Sequence, residues 1–67
     1  MKNNIRPISI EMKMSQEKLA DKCKVTRQNI NAIENNKYDP TLSLAFKLSK
    51  NLSTKVERLF IFEEETE

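Results

Sequence analysis

An all-α domain of five short helices is the fold class that this 67-residue sequence predicts, on three observations. Apolar residues recur three and four positions apart in successive stretches, the spacing that lays a stripe along one side of a helix. A hydroxyl residue (Ser15, Thr26, Thr41 or Thr54) stands before four of these stretches, where its oxygen can accept from the free amides of a first helical turn. Two neighbouring stretches also open with the same grammar: an apolar residue, the hydroxyl, and a second apolar residue four positions on, as in Met14-Ser15-Leu19 and Val25-Thr26-Ile30. These are hydrophobic staples, and a repeat of the same start makes coincidence a poor explanation.

The first stripe is Ile5, Ile8 and Met12, which predicts an opening helix running to about Lys13 after a polar start at residues 2–4. With Asn4 as the N-cap, Pro7 falls at the third helical position. Its missing amide proton costs little there, although it disfavours helical geometry at Arg6. A short or frayed start is expected.

The organising stretch is residues 16–35, QEKLADKCKVTRQNINAIEN. Leu19, Ala20 and Cys23 form the stripe of one short helix, and Ile30 and Ile33 the inward face of the next. Ala20 is needed because one helix must cross closely above the other at a steep angle, where a methyl is about all that fits. The block therefore reads as a helix-turn-helix. At about 100° per residue, Arg27, Gln28, Asn31 and Asn35 share one sector, well rotated from Ile30 and Ile33. Arginine pairs with the guanine edge, glutamine and asparagine with adenine, and a helix fits the major groove of B-form DNA. An ordinary solvated face has the same polarity, so the spacing of the whole block carries the reading.

Residues 36–40 break the periodicity and read as a loop, with Asn36 suited to a left-handed C-cap and with Lys37 and Tyr38 beside the preceding helix. Thr41 then caps a fourth helix. Its Leu42, Ala45, Leu48 and Leu52 make an apolar stripe that Leu44 and Phe46 widen, all expected in the core. Thr54 with Glu57 fits a capping box for a short fifth helix in which Val56, Leu59 and Phe60 are apolar. Residues 60–62 then form a strongly apolar patch. It either completes the core by pairing as a short strand with the N-terminal residues, or meets its copy in a second chain; shared between Phe60 and Phe62, it does both.

The run SQEKLADKCKVTRQNINAIENNKYDPTLSLAFKLSKNL resembles the lambda-repressor-like (Cro/cI, or XRE) family of bacterial and phage regulators. The family pattern is S-Q-x-x-L-A, then V-S/T, then I-x-x-I-E, then P-S/T-L, and the likeness extends over roughly residues 5–60. The resemblance implies a five-helix lambda-repressor-like fold, with a short two-stranded ribbon from the two termini as an option. It also implies sequence-specific binding of double-stranded DNA, most simply as a dimeric repressor on a palindromic operator. Base contacts would fall to Arg27, Gln28 and Asn31, and backbone contacts to Gln16, Thr26, Asn35, Lys37 and Tyr38. Val56, Leu59, Phe60 and Phe62 would form the homodimer interface. No cofactor or metal is implied.

Two departures from the pattern stand out. Ser9 occupies the place of an arginine that usually pairs with the glutamate equivalent to Glu34. Either Arg6 or a neighbouring lysine substitutes, or Glu34 stays partly solvated, since an unpaired buried carboxylate is costly. Lys24 occupies a turn position where glycine is frequent because the turn wants positive φ, and this chain contains no glycine.

Composition bounds the function. The net charge of +2 divides into +6 over residues 1–56 and −4 over residues 57–67, so the tail points away from phosphates and the rest of the chain attracts them. One cysteine and no histidine exclude an intramolecular disulfide and a zinc-ligand set; Cys23 reads as core rather than as a redox switch. No apolar run is long enough to span a bilayer, and no signal-peptide pattern is present, which places the chain in the cytoplasm. The absence of a histidine base, a glycine-rich phosphate loop and a paired-carboxylate site argues against an enzyme. A rival from another class is an antitoxin-like interaction module that grips a different protein through residues 60–62, its DNA binding secondary. Single-stranded nucleic acid is a weaker target, because three Phe and one Tyr at core-like spacing leave few stacking platforms.

Overall fold

The computed structural model describes residues 1–61. In chain order the elements are β1 (Lys2–Asn3), α1 (Ile5–Glu11), α2 (Gln16–Cys23), α3 (Arg27–Glu34), α4 (Leu42–Asn51), α5 (Val56–Leu59) and β2 (Phe60–Ile61). The two strands pair antiparallel, Lys2 with Ile61 and Asn3 with Phe60, so the termini form the ribbon that the apolar patch suggested. Phe62 lies outside the described residues.

Three helix starts follow the hydroxyl grammar. The side-chain oxygens of Ser15, Thr26 and Thr41 accept from the backbone amides of Lys18, Asn29 and Leu44, at 3.1, 3.2 and 3.2 Å. The fifth helix departs from it: α5 starts one residue after the expected cap, with Lys55 at the N-cap position and no side-chain cap bond. Thr54 is committed to the end of α4, where its amide donates to the Ser49 carbonyl.

Four helices end in the same way without any glycine. Lys13, Lys24, Asn36 and Ser53 all take left-handed backbone angles, with φ of 57, 60, 62 and 53°. Each donates its amide three residues back, and the following residue donates five residues back. At Lys24, for example, the bonds run from Lys24 to the Asp21 carbonyl (3.2 Å) and from Val25 to the Ala20 carbonyl (3.0 Å). This double closure is the Schellman motif, which satisfies the last orphan carbonyls of a helix. The positive φ expected at Lys24 is therefore one instance of a device used at α1, α2, α3 and α4 alike.

α1 begins directly after Asn4, which makes no side-chain cap bond, and ends at Glu11 rather than near Lys13, so it is shortened at its end and not at the start where Pro7 was expected to act. Its start is pinned rather than frayed. The Ile5 amide donates to Asn3 Oδ1 at 3.1 Å, and the Asn4 amide and side chain donate to the Leu59 and Arg58 carbonyls at 2.8 and 3.0 Å.

Ile5, Leu19, Ala20, Cys23, Ile30, Ile33, Leu44, Ala45, Leu48, Leu52, Leu59 and Phe60 form one buried cluster, with Ile8, Met14, Val25 and Val56 packed against it. The staple partners Met14 and Val25 thus lie against the core as their positions required. Ala20, 2% exposed, fills the closely packed junction of α2 and α3. Burial pushes the thiol pKa of Cys23 up, against smaller opposing effects of Asn51, whose amide donates to Sγ at 3.7 Å, and Lys47. A thiol so placed is a core filler.

Two expectations for the apolar residues fail. Leu42 and Phe46 are 71% and 57% exposed. Leu44, Ala45, Leu48 and Leu52 set the inward face of α4, and Leu42 and Phe46 each sit two residues from Leu44, about 200° around the helix. Leu59, in contrast, was expected at a dimer interface and is fully buried beneath the ribbon, where no second chain can touch it.

A left-handed residue other than glycine costs about 1–2 kcal/mol, against which glycine loses about 0.5–1 kcal/mol in chain entropy. Lys24→Gly is therefore expected to stabilise the domain by about 0.5–1 kcal/mol, read as a higher urea midpoint at unchanged m. A lower midpoint would mean that the lysine side chain contributes something its exposed position does not suggest.

Candidate nucleic-acid interface

The interface is built on α3, held by Thr26 at its start and by the left-handed turn at Asn36 at its end. Ile30 and Ile33 are buried, and the helix accordingly turns Arg27, Gln28 and Asn31 outward, all three exposed. They line one shallow depression. The sequence-based grouping of these three side chains therefore holds in space.

Asn35, expected at the DNA backbone, is engaged differently. Its Nδ2 donates to the Asn31 carbonyl oxygen at 2.8 Å and to Asn31 Oδ1 at 3.1 Å. Both amide hydrogens are spent inside α3, and none is left for a phosphate oxygen.

A second depression is lined by Arg6, Ser15, Gln16, Asn31 and Glu34, among others, and it joins the start of α2 to the outer side of α3. Glu34 resolves the first departure from the family pattern. Its side chain is 2% exposed, and Oε1 receives Gln16 Nε2 at 2.7 Å and Arg6 Nε at 3.3 Å. Of the alternatives, Arg6 supplies the compensating charge, reaching across from the preceding turn of α1. Ser9 is buried and donates its hydroxyl to the Arg6 carbonyl at 3.0 Å.

The Arg6 side chain remains 58% exposed, and only its Nε is engaged with Glu34. Its terminal nitrogens are donors facing solvent, and Gln16 keeps a second amide hydrogen. Thr26 is exposed at the mouth of α3; its oxygen accepts from Asn29, which leaves its own proton to give. Lys37 and Tyr38 are exposed beside the end of α3. The loop that carries them is anchored by a residue that sequence reasoning passed over: Asn3 Nδ2 donates to the Ile33 carbonyl at 2.7 Å and to Asn36 Oδ1 at 3.3 Å. In the sequence Asn3 read as part of a polar start and nothing more. The available signal was the capacity of asparagine to bond backbone groups, which says nothing about which distant carbonyl it will find.

No helix among the described residues is long and apolar enough to cross a membrane. The helix-turn-helix family model matches residues 8–59, most of the chain. The chain belongs to the Cro/cI-type helix-turn-helix family. Its relatives include an uncharacterised helix-turn-helix-type transcriptional regulator of Methanocaldococcus jannaschii, 46% identical over 65 residues, which cover 97% of this chain and 98% of that protein. The regulator YgzD of Bacillus subtilis is 45% identical over 65 residues, with the same coverage of each. Among solved structures, the hypothetical transcription factor NHTF from Neisseria superposes with a TM-score of 0.76 at 27% identity, over 82% of this chain and 62% of that one. The relatives thus extend the likeness to archaea as well as bacteria. Membership makes the chain a transcriptional regulator with a helix-turn-helix DNA-binding domain, and not an enzyme.

Arg6→Ala would leave the buried Glu34 carboxylate with Gln16 as its remaining partner. A hydrogen bond to a charged group contributes roughly 1.5–3 kcal/mol, reduced here because Arg6 is largely solvated. The expected loss is about 1 kcal/mol in equilibrium urea unfolding, with Arg6→Lys recovering part of it. An unchanged midpoint for Arg6→Ala would mean that Gln16 alone satisfies the carboxylate.

Proposed function

We propose that the protein is a dimeric repressor that reads a palindromic operator in duplex DNA with α3 and acts in the cytoplasm. The observation that carries this reading is the convergence of Arg27, Gln28 and Asn31 in one exposed depression on the outer face of α3, with no apolar residue among them. Their groups match base edges in the major groove. Gln16, Thr26, Lys37 and Tyr38 flank the helix at both ends and set its position by holding phosphates. Arg6 joins them, since its free donors line the depression that Gln16 shares.

A single domain of this size contacts few base pairs, and a second copy doubles the phosphate contacts. The partner surface is the largely apolar groove lined by Pro40, Leu42, Ala45, Val56 and Phe60, with the Met1–Asp39 ion pair at its rim and exposed Phe46 one turn beyond Leu42. Of the interface residues expected from sequence, Val56 and Phe60 line this groove. Leu42 and Phe46 supply the exposed apolar area that Leu59 cannot. The groove begins directly after Lys37 and Tyr38, so a twofold axis there keeps two copies of α3 on one side. Half-sites about 34 Å apart, one turn of DNA, are the geometry such a dimer would read.

Footprinting the DNA upstream of the gene across a salt series tests the whole reading. A protected near-palindrome with a steep salt slope is expected; equal, weak binding to scrambled duplex would sink it. Within that assay, Gln28→Ala should cost roughly 1–3 kcal/mol at one base pair and relax specificity there. Lys37→Ala should weaken all sequences alike and reduce the salt slope by about one.

Sedimentation tests the dimer. Phe46→Glu is expected to raise the dissociation constant about 30-fold or more, as for a central apolar anchor. A wild-type chain that stays monomeric at high concentration would remove the dimer and leave the groove to a different protein, the antitoxin-like alternative.

A further inference from the structure

Asn31 and Asn35 stand one turn apart on the exposed side of α3, and their contact fixes an orientation. Two atoms of Asn31 meet the Asn35 carboxamide: the main-chain carbonyl oxygen at 2.8 Å and the side-chain oxygen at 3.1 Å. A main-chain carbonyl can only accept, so the Asn35 atom beside it must be Nδ2. The second hydrogen of that nitrogen then needs an acceptor, and the facing atom of the Asn31 side chain must be Oδ1. Backbone chemistry thus decides both amide orientations in turn. The Asn31 Nδ2 is left directed away from Asn35, on a side chain that lines the depression with Arg27 and Gln28.

We propose that Asn35 is a specificity-determining positioning residue: it turns the Asn31 carboxamide so that two N–H donors face the base edge, and the base read there is guanine rather than adenine. The inference rests on the base-reading role of α3 proposed above. Bidentate pairing with adenine requires one acceptor for N6–H and one donor for N7, and the acceptor of Asn31 is held along the helix by Asn35. Guanine presents N7 and O6 side by side, acceptors only, and so matches the group that is free. Asn35 itself touches no base.

The orientation can be reversed. Asn35→Asp replaces the donor by a carboxylate, which the Asn31 main-chain carbonyl repels and the Asn31 Nδ2 attracts, turning Oδ1 outward toward amino groups such as adenine N6. The experiment takes the duplex that the wild-type protein selects from a randomised library and finds the position that Asn31→Ala flattens. Binding is then measured to all four base pairs at that position, and to 7-deazaguanine, for the wild type, Asn35→Asp and Asn35→Ala.

The wild type is expected to prefer guanine by about tenfold, within the range of one good base contact, and to lose most of that preference with 7-deazaguanine. Asn35→Ala should level the preference to about twofold, and Asn35→Asp should shift it to adenine or cytosine while weakening all binding through its charge. A merely structural role for Asn35 would lower affinity for the four base pairs in equal proportion, and that result overturns the proposal. So does a wild-type preference for adenine that Asn35→Asp leaves in place. If Asn31→Ala flattens no position although the wild type selects a sequence, the base-reading assignment of Asn31 fails and the inference falls with it. Asn35 is exposed, so both variants should retain the wild-type circular dichroism, with a somewhat lower unfolding midpoint for Asn35→Asp because its charge opposes the dipole at the end of α3.

Discussion

A carboxylate taken out of water must be given partners, and the way Glu34 obtains them ties α1, α2 and α3 together. Its oxygen Oε1 receives a donor from α1, through Arg6, and one from α2, through Gln16, while Glu34 itself closes α3. Three helices meet at one atom. Taking the Glu34 charge out of water is costly, and the exposed Arg6 offsets only part of that, so the contact is not a ready source of stability; its value lies in geometry. Apolar packing of Leu19 against Ile30 and Ile33 tolerates small slides, because dispersion is non-directional. A hydrogen bond of 2.7 Å does not. Glu34 therefore sets the register of α3 against α2, and with it the position of Arg27, Gln28 and Asn31 relative to Gln16.

The ends of the helices apply a second constraint of the same kind. A turn between helices can be loose, or it can be closed by two backbone bonds around a left-handed residue. This chain closes four of its turns, using lysine, asparagine and serine where glycine would be easier. The strain is local and outweighed by the satisfied carbonyls and by the apolar residues that each reversal drives inward, Met14 and Val25 among them. At Asn36 the same closure gains an extra hold from Asn3, so the ribbon of the two termini reaches the loop carrying Lys37 and Tyr38. The edges of the interface are thus fixed by backbone geometry, while its middle is fixed by Glu34.

What was legible in the sequence follows from the range of the interactions concerned. Ser15, Thr26 and Thr41 act on amides three residues away, and Leu19, Ile30 and Ile33 obey a single helical period, so their roles could be read off spacing. The grouping of Arg27, Gln28 and Asn31 is equally local. The partners of the Asn3 and Asn4 side chains could not be read, because they are carbonyls 30 and 54 residues distant. The compensation of Glu34 was half legible: the need for a cation is a matter of charge, but the choice of Arg6 over a lysine depends on where α1 lies. Leu42 and Phe46 misled for a different reason. Spacing alone admits several stripes on a helix as apolar as α4, and which one faces inward is decided by the neighbours rather than by the helix.

That last ambiguity bears on function. A helix with apolar residues on two sides leaves one of them in water unless another surface covers it, which is what the proposed dimer supplies. Leu42 lines, with Pro40, Ala45, Val56 and Phe60, a largely apolar groove that the Met1–Asp39 ion pair borders, and Phe46 is exposed one turn further along α4. In the proposed dimer, one helix serves the core with Leu44, Leu48 and Leu52 and the association surface with Leu42 and Phe46.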